Sequence, residues 1–224
     1  METWDNVDLV QCNPQSLLGY GKEAHKASGG VCLYCGMGSQ QAAPEEIVFD
    51  MWRQLSVEHI IPDEVMSVGR VCEGIARAFP KLPSNEKKNL VDCIRGRLNL
   101  ITACHFCNSA VSHHKKKPRV QKVVEEFCNY LCSGANAGRT EVATLRSDVV
   151  SRWLRGLAGI IEEAYRQKAA IARGKVMGLR TRYRCALQRP LPRERACESP
   201  ETLNSRFAAA LAAHISDLIG QGRQ

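Results

Sequence analysis

The sequence has few aromatic residues and no long apolar run. Phe, Trp and Tyr make up only 6% of its 224 residues, which predicts a hydrophobic core of modest size. No apolar segment reaches the ~20 residues that a membrane-spanning helix needs, so we expect no contact with a membrane. Internal repeats and long low-complexity tracts are also lacking, which argues against repeat and fibrous proteins.

The N-terminal segment lacks the pattern of a secretory signal peptide. Residues 1–5, METWD, contain no basic stretch, and no apolar run follows them. We therefore expect a cytoplasmic protein in a reducing compartment. The eleven cysteines of the sequence, an odd number, then favour metal binding or redox chemistry over a disulfide framework.

Four of the cysteines form two Cys-x-x-Cys pairs, Cys32 with Cys35 and Cys104 with Cys107. Each pair places two thiolates on a tight turn, and two pairs together supply the four sulfur ligands of a tetrahedral zinc site. A thioredoxin-like redox motif is the alternative, but it needs only one pair and leaves the second unexplained. The spacing predicts a structural zinc, and the remaining cysteines are expected to be core or spare thiols.

An extended segment between the two cysteine pairs carries a carboxylate next to an imidazole. The β-branched residues and the closing proline of the run VEHIIP at 57–62 predict a strand. Neighbouring residues of a strand point to opposite faces, so one of Glu58 and His59 could bind a divalent cation while the other faces a substrate. The dipeptide alone is weak evidence, and a solvated strand end is the alternative.

Four elements occur in the order found in one nuclease family. They are Cys32-x-x-Cys35, Glu58-His59-Ile60-x-Pro62, Asn99-Leu100 and Cys104-x-x-Cys107-Asn108. In this order they resemble the HNH endonuclease family, in the branch that carries a four-cysteine zinc site. The resemblance spans residues 22–118 and implies a ββα-metal fold, in which two strands and a helix pack around one divalent ion. Residues 47–55 and 56–61 would supply the strands, and 108–114 would open the helix.

The resemblance also implies a role for each matching residue. The structural zinc would be held by Cys32, Cys35, Cys104 and Cys107. His59 would be the general base, and Glu58 and Asn108 would bind the catalytic Mg²⁺ or Mn²⁺. Asn99 would steady the loop that bears the base. In such a site the base takes a proton from water, hydroxide attacks the scissile phosphate, and the cation stabilises the developing charge.

The segment between the halves of the motif is longer than a compact family member has. This insert, residues 63–98, contains helical patterns at 65–79 and 86–97. It also offers two alternatives to Asn99 as the middle asparagine, namely Asn85 and Asn89.

The residues after Asn108 also depart from the family pattern. A lysine often found three positions after the last ligand is replaced by Val111, and the nearby lysines are candidates for its contact with nucleic acid: Lys115, Lys116 and Lys117. His113 and His114 lie off the helical face of Asn108. We therefore expect phosphate contacts or surface positions for them rather than metal binding.

Basic residues are concentrated in the second half of the chain. Residues 1–138 carry 15 Lys/Arg and 15 Asp/Glu, whereas 139–224 carry 16 against 8, and ten basic residues face one acid between positions 166 and 195. Such a stripe attracts phosphates, so we predict nucleic-acid contacts there, with Arg180, Arg182 and Arg184 as candidates. A solvated helix face in a protein from an arginine-rich genome is the alternative.

The second half of the chain is predicted to be mainly helical. Apolar residues recur every three to four positions from 150 to 165, which indicates a helix that begins between 140 and 147. Gly174 and Gly178 are candidate interruptions of this helix.

Two further helices are expected, one at 120–132 and one that begins at Ser199 and stops at Gly220. The alanine-rich run at 207–213 in the last helix allows close packing. It favours a contact within the chain, in a homodimer or with a protein partner.

Taken together, these patterns predict an α+β protein with a small ββα-metal core, a structural zinc and a mainly α-helical C-terminal region. The expected segments are an N-terminal piece, 1–21, an HNH-like domain, 22–118, and a basic helical region, 119–224. The expected function is metal-dependent hydrolysis of phosphodiester bonds in DNA, with RNA as an alternative substrate. Two other interpretations stay open: a zinc-stabilised module that binds nucleic acid without cutting it, and the nuclease subunit of a bacterial antiviral defence system under a partner ATPase.

Overall fold

The computed structural model describes residues 20–29, 31–37, 55–112, 117–133, 147–187 and 199–221. Most of these residues are helical, and two strands form a small sheet, so the predicted α+β class is confirmed. In chain order the elements are α1 (Tyr20–Ala27), β1 (Leu55–His59), α2 (Val68–Ala78), α3 (Ser84–Asp92) with a π-helical turn (Cys93–Arg97), β2 (Leu100–Cys104), α4 (His105–Ser112), α5 (Pro118–Ser133), α6 (Ser147–Leu187) and α7 (Pro200–Gln221).

The sheet consists of β1 paired with β2. Ser56 Oγ donates a hydrogen bond to the Ala103 carbonyl at 3.0 Å, and the Ile60 amide donates to the Asn99 carbonyl at 2.9 Å. Residue 56 thus contacts residue 103, and residue 60 contacts residue 99. The residue numbers rise along one strand as they fall along the other, so the pair is antiparallel. The strand predicted at 56–61 begins at Leu55 and ends at His59. Residues 47–54, the other predicted strand material, lie outside the described residues.

The two helices expected in the insert are present. The pattern at 65–79 corresponds to α2, and the pattern at 86–97 to α3 with its π-helical turn. Proline sets the boundary between them, since Pro80 follows the end of α2 and Pro83 immediately precedes α3. α2 packs against both α3 and α5. At the α2–α5 contact, a side chain at Gly74 would collide with Leu131, so the close approach requires glycine.

The long helix α6 runs for 41 residues without a break. Its predicted start is confirmed, but the expectation that Gly174 or Gly178 interrupts it is wrong. A glycine inside a helix costs only about 1 kcal/mol relative to alanine, which the buried face of a long helix offsets. The start predicted for α7 is also confirmed, because Ser199 Oγ accepts a hydrogen bond from the Thr202 amide at 3.2 Å. This helix ends at Gln221 rather than at Gly220.

The described part of the chain divides into two compact units, each built from segments that are distant in sequence. The first comprises described residues of 1–58, 101–115 and 166–207, and the second those of 59–100, 116–165 and 208–224. In the second unit, Phe79 and Trp153 stack edge to face with ring centroids 5.2 Å apart. Nowhere in the described ranges does a helix combine the length and apolar character needed to cross a membrane.

Candidate functional site

The first unit brings together the cysteines of both Cys-x-x-Cys pairs. The sulfur atoms of Cys32, Cys35, Cys104 and Cys107 all lie within 4.8 Å of one another, and those of Cys35 and Cys104 are 3.9 Å apart. Four sulfurs at about 2.3 Å from a tetrahedral zinc ion are separated by about 3.8 Å. The cluster could therefore hold a metal ion such as zinc, and the predicted grouping of these four residues is confirmed.

The first cysteine pair lies on a turn that two backbone hydrogen bonds close. The Gly36 amide donates to the Cys32 carbonyl at 2.8 Å, and the Cys32 amide donates to the Met37 carbonyl at 2.7 Å. Gly36 has a φ of 78°, which favours glycine at this position. The Leu33 amide also donates to the Thr102 carbonyl at 3.0 Å, which places this turn against β2.

The second cysteine pair joins the end of β2 to the start of α4. The Cys107 amide donates to Cys104 Sγ at 3.4 Å. This contact has the spacing of a helix N-cap, with sulfur in place of the usual oxygen acceptor. It explains why α4 begins at His105 rather than at Asn108, where the helix was predicted to open.

The crowded thiols of the cluster do not titrate independently. Hydrogen bonds from Cys107, Cys32 and Cys35 lower the pKa of the Cys104 thiol, while the hydrogen bond to Cys104 raises the pKa of Cys107. A metal ion would bind these sulfurs as thiolates, so its binding would release their protons. Outside the cluster, burial raises the pKa of Cys93 to about 11, so this thiol is a neutral part of the core.

A buried polar network attaches α1 to β2 beside the cluster. Thr102 Oγ1 lies 2.7 Å from His25 Nδ1, and it accepts a hydrogen bond from Ser28 Oγ at 2.6 Å. All three residues are buried. His25 thus has a structural role in the contact between α1 and β2.

Asn99 fixes the backbone directly after His59. Its Oδ1 accepts from the Ile61 amide at 2.7 Å, and its Nδ2 donates to the Ile61 carbonyl at 2.9 Å. These bonds satisfy the two backbone groups that a longer strand would have used, which explains why β1 ends at His59. Asn85 and Asn89 are exposed on α3. Of the three candidate asparagines, Asn99 is the one that bonds to the backbone at Ile61.

We expect Asn99→Ala to lower the free energy of unfolding by about 2–6 kcal/mol, because it leaves two buried backbone groups unpaired and each costs about 1–3 kcal/mol. Both Asn99 and Ile61 are fully buried, so water does not replace the lost bonds. Urea denaturation measures the effect. Asn89→Ala, an exposed change of the same type, should stay within about 0.5 kcal/mol of the unsubstituted protein. Equal stability of the two variants would contradict the role of Asn99.

Glu58 forms a buried ion pair. Its Oε1 lies 2.6 Å from Nζ of Lys168 on α6, and the side chains are 7% and 1% exposed. Lys168 lies in the predicted basic stripe, and its contact with Glu58 was not predicted from the sequence. The signal was present, because the apolar positions Ile161 and Tyr165 continue along the same helical face to Lys168 and Ala172, and all four are buried.

The other two candidate residues, His59 and Asn108, lie on β1 and α4. His59 is half-buried and follows Glu58 on β1, so its side chain points to the opposite face of the strand. Asn108 Nδ2 donates to Ser56 Oγ at 3.0 Å and to the Val57 carbonyl at 3.3 Å. These bonds tie α4 to β1 and place Asn108 beside the strand that carries Glu58.

Neither a family model, nor a curated protein, nor a solved structure matches this chain. Groups of three or more His, Cys, Asp or Glu side chains close enough to hold a metal ion were sought within the ranges that the structure describes. The four cysteines form such a group. The carboxylate of Glu58 and the amide of Asn108 have the oxygen atoms that Mg²⁺ prefers, and a positive charge already lies at Glu58 in the form of the Lys168 ammonium.

Two members of the predicted basic stripe make contacts inside the protein. Besides Lys168, Arg173 is half-buried, and its Nε donates to the Tyr34 carbonyl at 2.8 Å. Its Nη2 donates to Asn204 Oδ1 at 3.2 Å. These two side chains therefore do not belong to an exposed surface that could bind nucleic acid, because the helix that packs on the first cysteine turn buries one of its sides.

The remaining candidates for nucleic-acid binding are only partly described. The side chains of Lys117 and Arg182 are exposed, as a phosphate contact requires. Several other candidates lie outside the described residues or have side chains that do: Lys115, Lys116, His113, His114, Arg180 and Arg184.

Proposed function

We propose that this protein is an HNH-type endonuclease that hydrolyses phosphodiester bonds in DNA. The observation that carries the proposal is the clamp of Asn99 on the backbone directly after His59. A general base must be held at a fixed position to be effective. The two hydrogen bonds from the buried Asn99 side chain to Ile61 restrain the backbone that follows His59. The antiparallel β1–β2 pair followed by α4 supports a strand, strand and helix unit, although its strand at 100–104 differs from the segments 47–55 and 56–61 that were expected to supply the strands.

The cysteine cluster is proposed to bind a structural zinc ion. Its four sulfurs come from the turn before β1 and from the β2–α4 junction, so one ion would cross-link segments far apart in sequence. Four thiolates complete the coordination of zinc and leave no position for water, which separates this site from the cutting chemistry. The ion would hold the start of α4, and thereby Asn108, against β1.

In the proposed reaction, the neutral imidazole of His59 takes a proton from a water molecule, and the resulting hydroxide attacks the phosphorus atom. The bond to the 3′ oxygen then breaks. A divalent cation, Mg²⁺ or Mn²⁺, would stabilise the charge on the phosphate oxygens when bound, with Glu58 and Asn108 as its proposed ligands. Asn99 contributes by preventing His59 from moving away from this line of attack.

The charge of the protein supports nucleic acid as the substrate. The chain has a formal net charge of +8, and Lys117 and Arg182 are exposed. Exposed basic side chains attract phosphates over the Debye length and hold a backbone without reading its sequence. We assign the same role to Lys115, Lys116, Arg180 and Arg184.

One observation favours a second function, that of a zinc-stabilised module that binds nucleic acid without cutting it. The carboxylate proposed as a cation ligand, Glu58, is already neutralised by Lys168. A pure binding protein needs no cation at this position, and the ion pair would then be a structural feature only.

Incubation of the protein with plasmid and with a labelled duplex separates the two functions. We expect nicked or linear plasmid in the presence of Mg²⁺ or Mn²⁺ and none in EDTA, while the duplex is bound under both conditions. Binding should weaken steeply as the salt concentration rises, because phosphate contacts dominate it. Duplex binding without any cleavage product in either metal would favour the binding module.

A further inference from the structure

The Glu58–Lys168 pair joins two charges that both need a partner. Glu58 Oε1 and Lys168 Nζ are 2.6 Å apart, and each side chain is almost completely buried. Removing a single charge from water is expensive, so a carboxylate in this position requires a cation close to it. Glu58 comes from β1 and Lys168 from α6, and both belong to the first unit.

The proposed cleavage reaction asks the same carboxylate to bind a divalent cation. An oxygen that accepts a short hydrogen bond from an ammonium group is poorly placed to bind a metal ion as well. Two positive charges within a few ångströms also repel each other strongly where little water screens them. The ammonium and the metal ion are therefore alternatives at Glu58.

We propose that Lys168 competes with the divalent cation for Glu58, so that the cation binds there only when the Glu58–Lys168 pair opens. The inference rests on the proposed function, since it takes Glu58 as a ligand of that cation. After the exchange Glu58 again has a counter-charge, because the divalent cation takes the place of the ammonium. Lys168 is in this sense a resident counter-ion that sets how much free metal the protein needs.

Further contacts of α6 hold Lys168 at Glu58. Arg173 follows Lys168 by about one and a half turns of the helix. It donates to the Tyr34 carbonyl at 2.8 Å and to Asn204 Oδ1 at 3.2 Å. Ala169 and Ala172 between them are fully buried. The helix is thus fixed on the cysteine turn, and Lys168 must leave Glu58 by moving its side chain or by breaking these contacts.

The size of the effect follows from the fraction of molecules in which the pair is open. The apparent Kd of a ligand equals its intrinsic Kd divided by the competent fraction, so a pair that is closed in about nine molecules of ten weakens cation binding about tenfold. Removing the ammonium should therefore tighten Mn²⁺ binding about tenfold or more.

The experiment compares Mn²⁺ binding to the full-length, zinc-saturated protein and to Lys168→Met. Calorimetry and the electron paramagnetic resonance of free Mn²⁺ report the Kd, and thermal melts with and without Mn²⁺ report stability. We expect Lys168→Met to bind one Mn²⁺ at least tenfold more tightly than the unsubstituted protein. Its melting temperature should fall without Mn²⁺, because Glu58 lacks a counter-charge, and should recover when Mn²⁺ is added. Lys168→Arg keeps the positive charge and should behave like the unsubstituted protein.

Two further variants keep the test decisive. Glu58→Gln/Lys168→Met contains no buried charge at this place, so it should fold and lose the added Mn²⁺ site. Lys168→Gln, which keeps a hydrogen-bond donor to Glu58, replaces Lys168→Met if the latter does not fold in either condition. Mn²⁺ affinity equal to that of the unsubstituted protein in the Lys168 variant that folds would overturn the proposal. So would tighter binding that persists after Glu58→Gln.

These outcomes are independent of DNA cleavage. If the unsubstituted protein never cuts DNA but Lys168→Met gains a Mn²⁺ site at Glu58, the competition stands and the endonuclease proposal fails. If the unsubstituted protein cuts DNA and already binds Mn²⁺ through Glu58 as tightly as Lys168→Met, the endonuclease stands and the competition fails.

Discussion

His59→Ala is expected to lower the rate of DNA cleavage about 10²–10⁴-fold, the usual contribution of a general base. The substitution removes the imidazole proposed to take the proton from water, while the loop after it stays fixed by Asn99. The loss should appear in kcat and leave the affinity for DNA unchanged, because the proposed phosphate contacts involve basic side chains elsewhere. Plasmid nicking under single-turnover conditions, with the Kd for a labelled duplex measured in EDTA, tests both parts.

The matched control is His214→Ala, which removes a half-buried histidine from α7. It should cut DNA at the rate of the unsubstituted protein. Zinc content and melting temperature must be the same in both variants for the comparison to hold. Equal cleavage by His59→Ala and the unsubstituted protein would sink the assignment of His59 as the base.

Cys104→Ser is expected to abolish tight zinc binding and to unfold the segments that the ion holds. A serine hydroxyl does not ionise at neutral pH, whereas hydrogen bonds from the neighbouring thiols already lower the pKa of Cys104. Structural zinc contributes about 10–16 kcal/mol of apparent binding free energy in small domains, which is comparable to the whole stability of about 5–15 kcal/mol of a typical protein. Chelation of zinc from the unsubstituted protein should have the same effect.

Metal analysis and thermal melts measure this effect, with Cys72→Ser as the matched control. Cys72 is exposed on α2 and lies outside the cluster. The control variant should retain one zinc per chain and its full melting temperature. A Cys104→Ser protein with unchanged zinc content, or a melting temperature that a chelator does not alter, would show that the cluster does not depend on metal.

The sequence predicted those features whose cause is local or chemically distinctive. Two Cys-x-x-Cys pairs indicate a metal site, because few other kinds of site need four cysteines at this spacing. Ser199 predicts the start of α7, because a capping hydroxyl acts within one helical turn. Asn99 was selected as the candidate for the middle asparagine from its position before the second cysteine pair. Its bonds to Ile61 follow from the antiparallel pairing that brings Asn99 next to β1.

The features that the sequence did not predict depend on contacts between distant segments. Lys168 lies 110 positions after Glu58, and a lysine in a basic stretch is usually exposed. Only its place on the buried face of α6 distinguishes it from its neighbours. The continuity of α6 through Gly174 and Gly178 was not predicted for the same reason. Packing along the helix outweighs the weak local tendency of the two glycines to end it.

The Glu58–Lys168 pair also has a consequence for the order in which the newly made chain can mature. The ribosome releases all four cysteines long before Lys168, at about 5–20 residues per second. The sulfur cluster could thus bind the proposed zinc ion while Glu58 still lacks its ammonium partner. A nascent chain at that stage, or one truncated after residue 118, would carry the Glu58 carboxylate without its counter-charge. Completion of α6 would then be the step that closes the site to stray divalent ions.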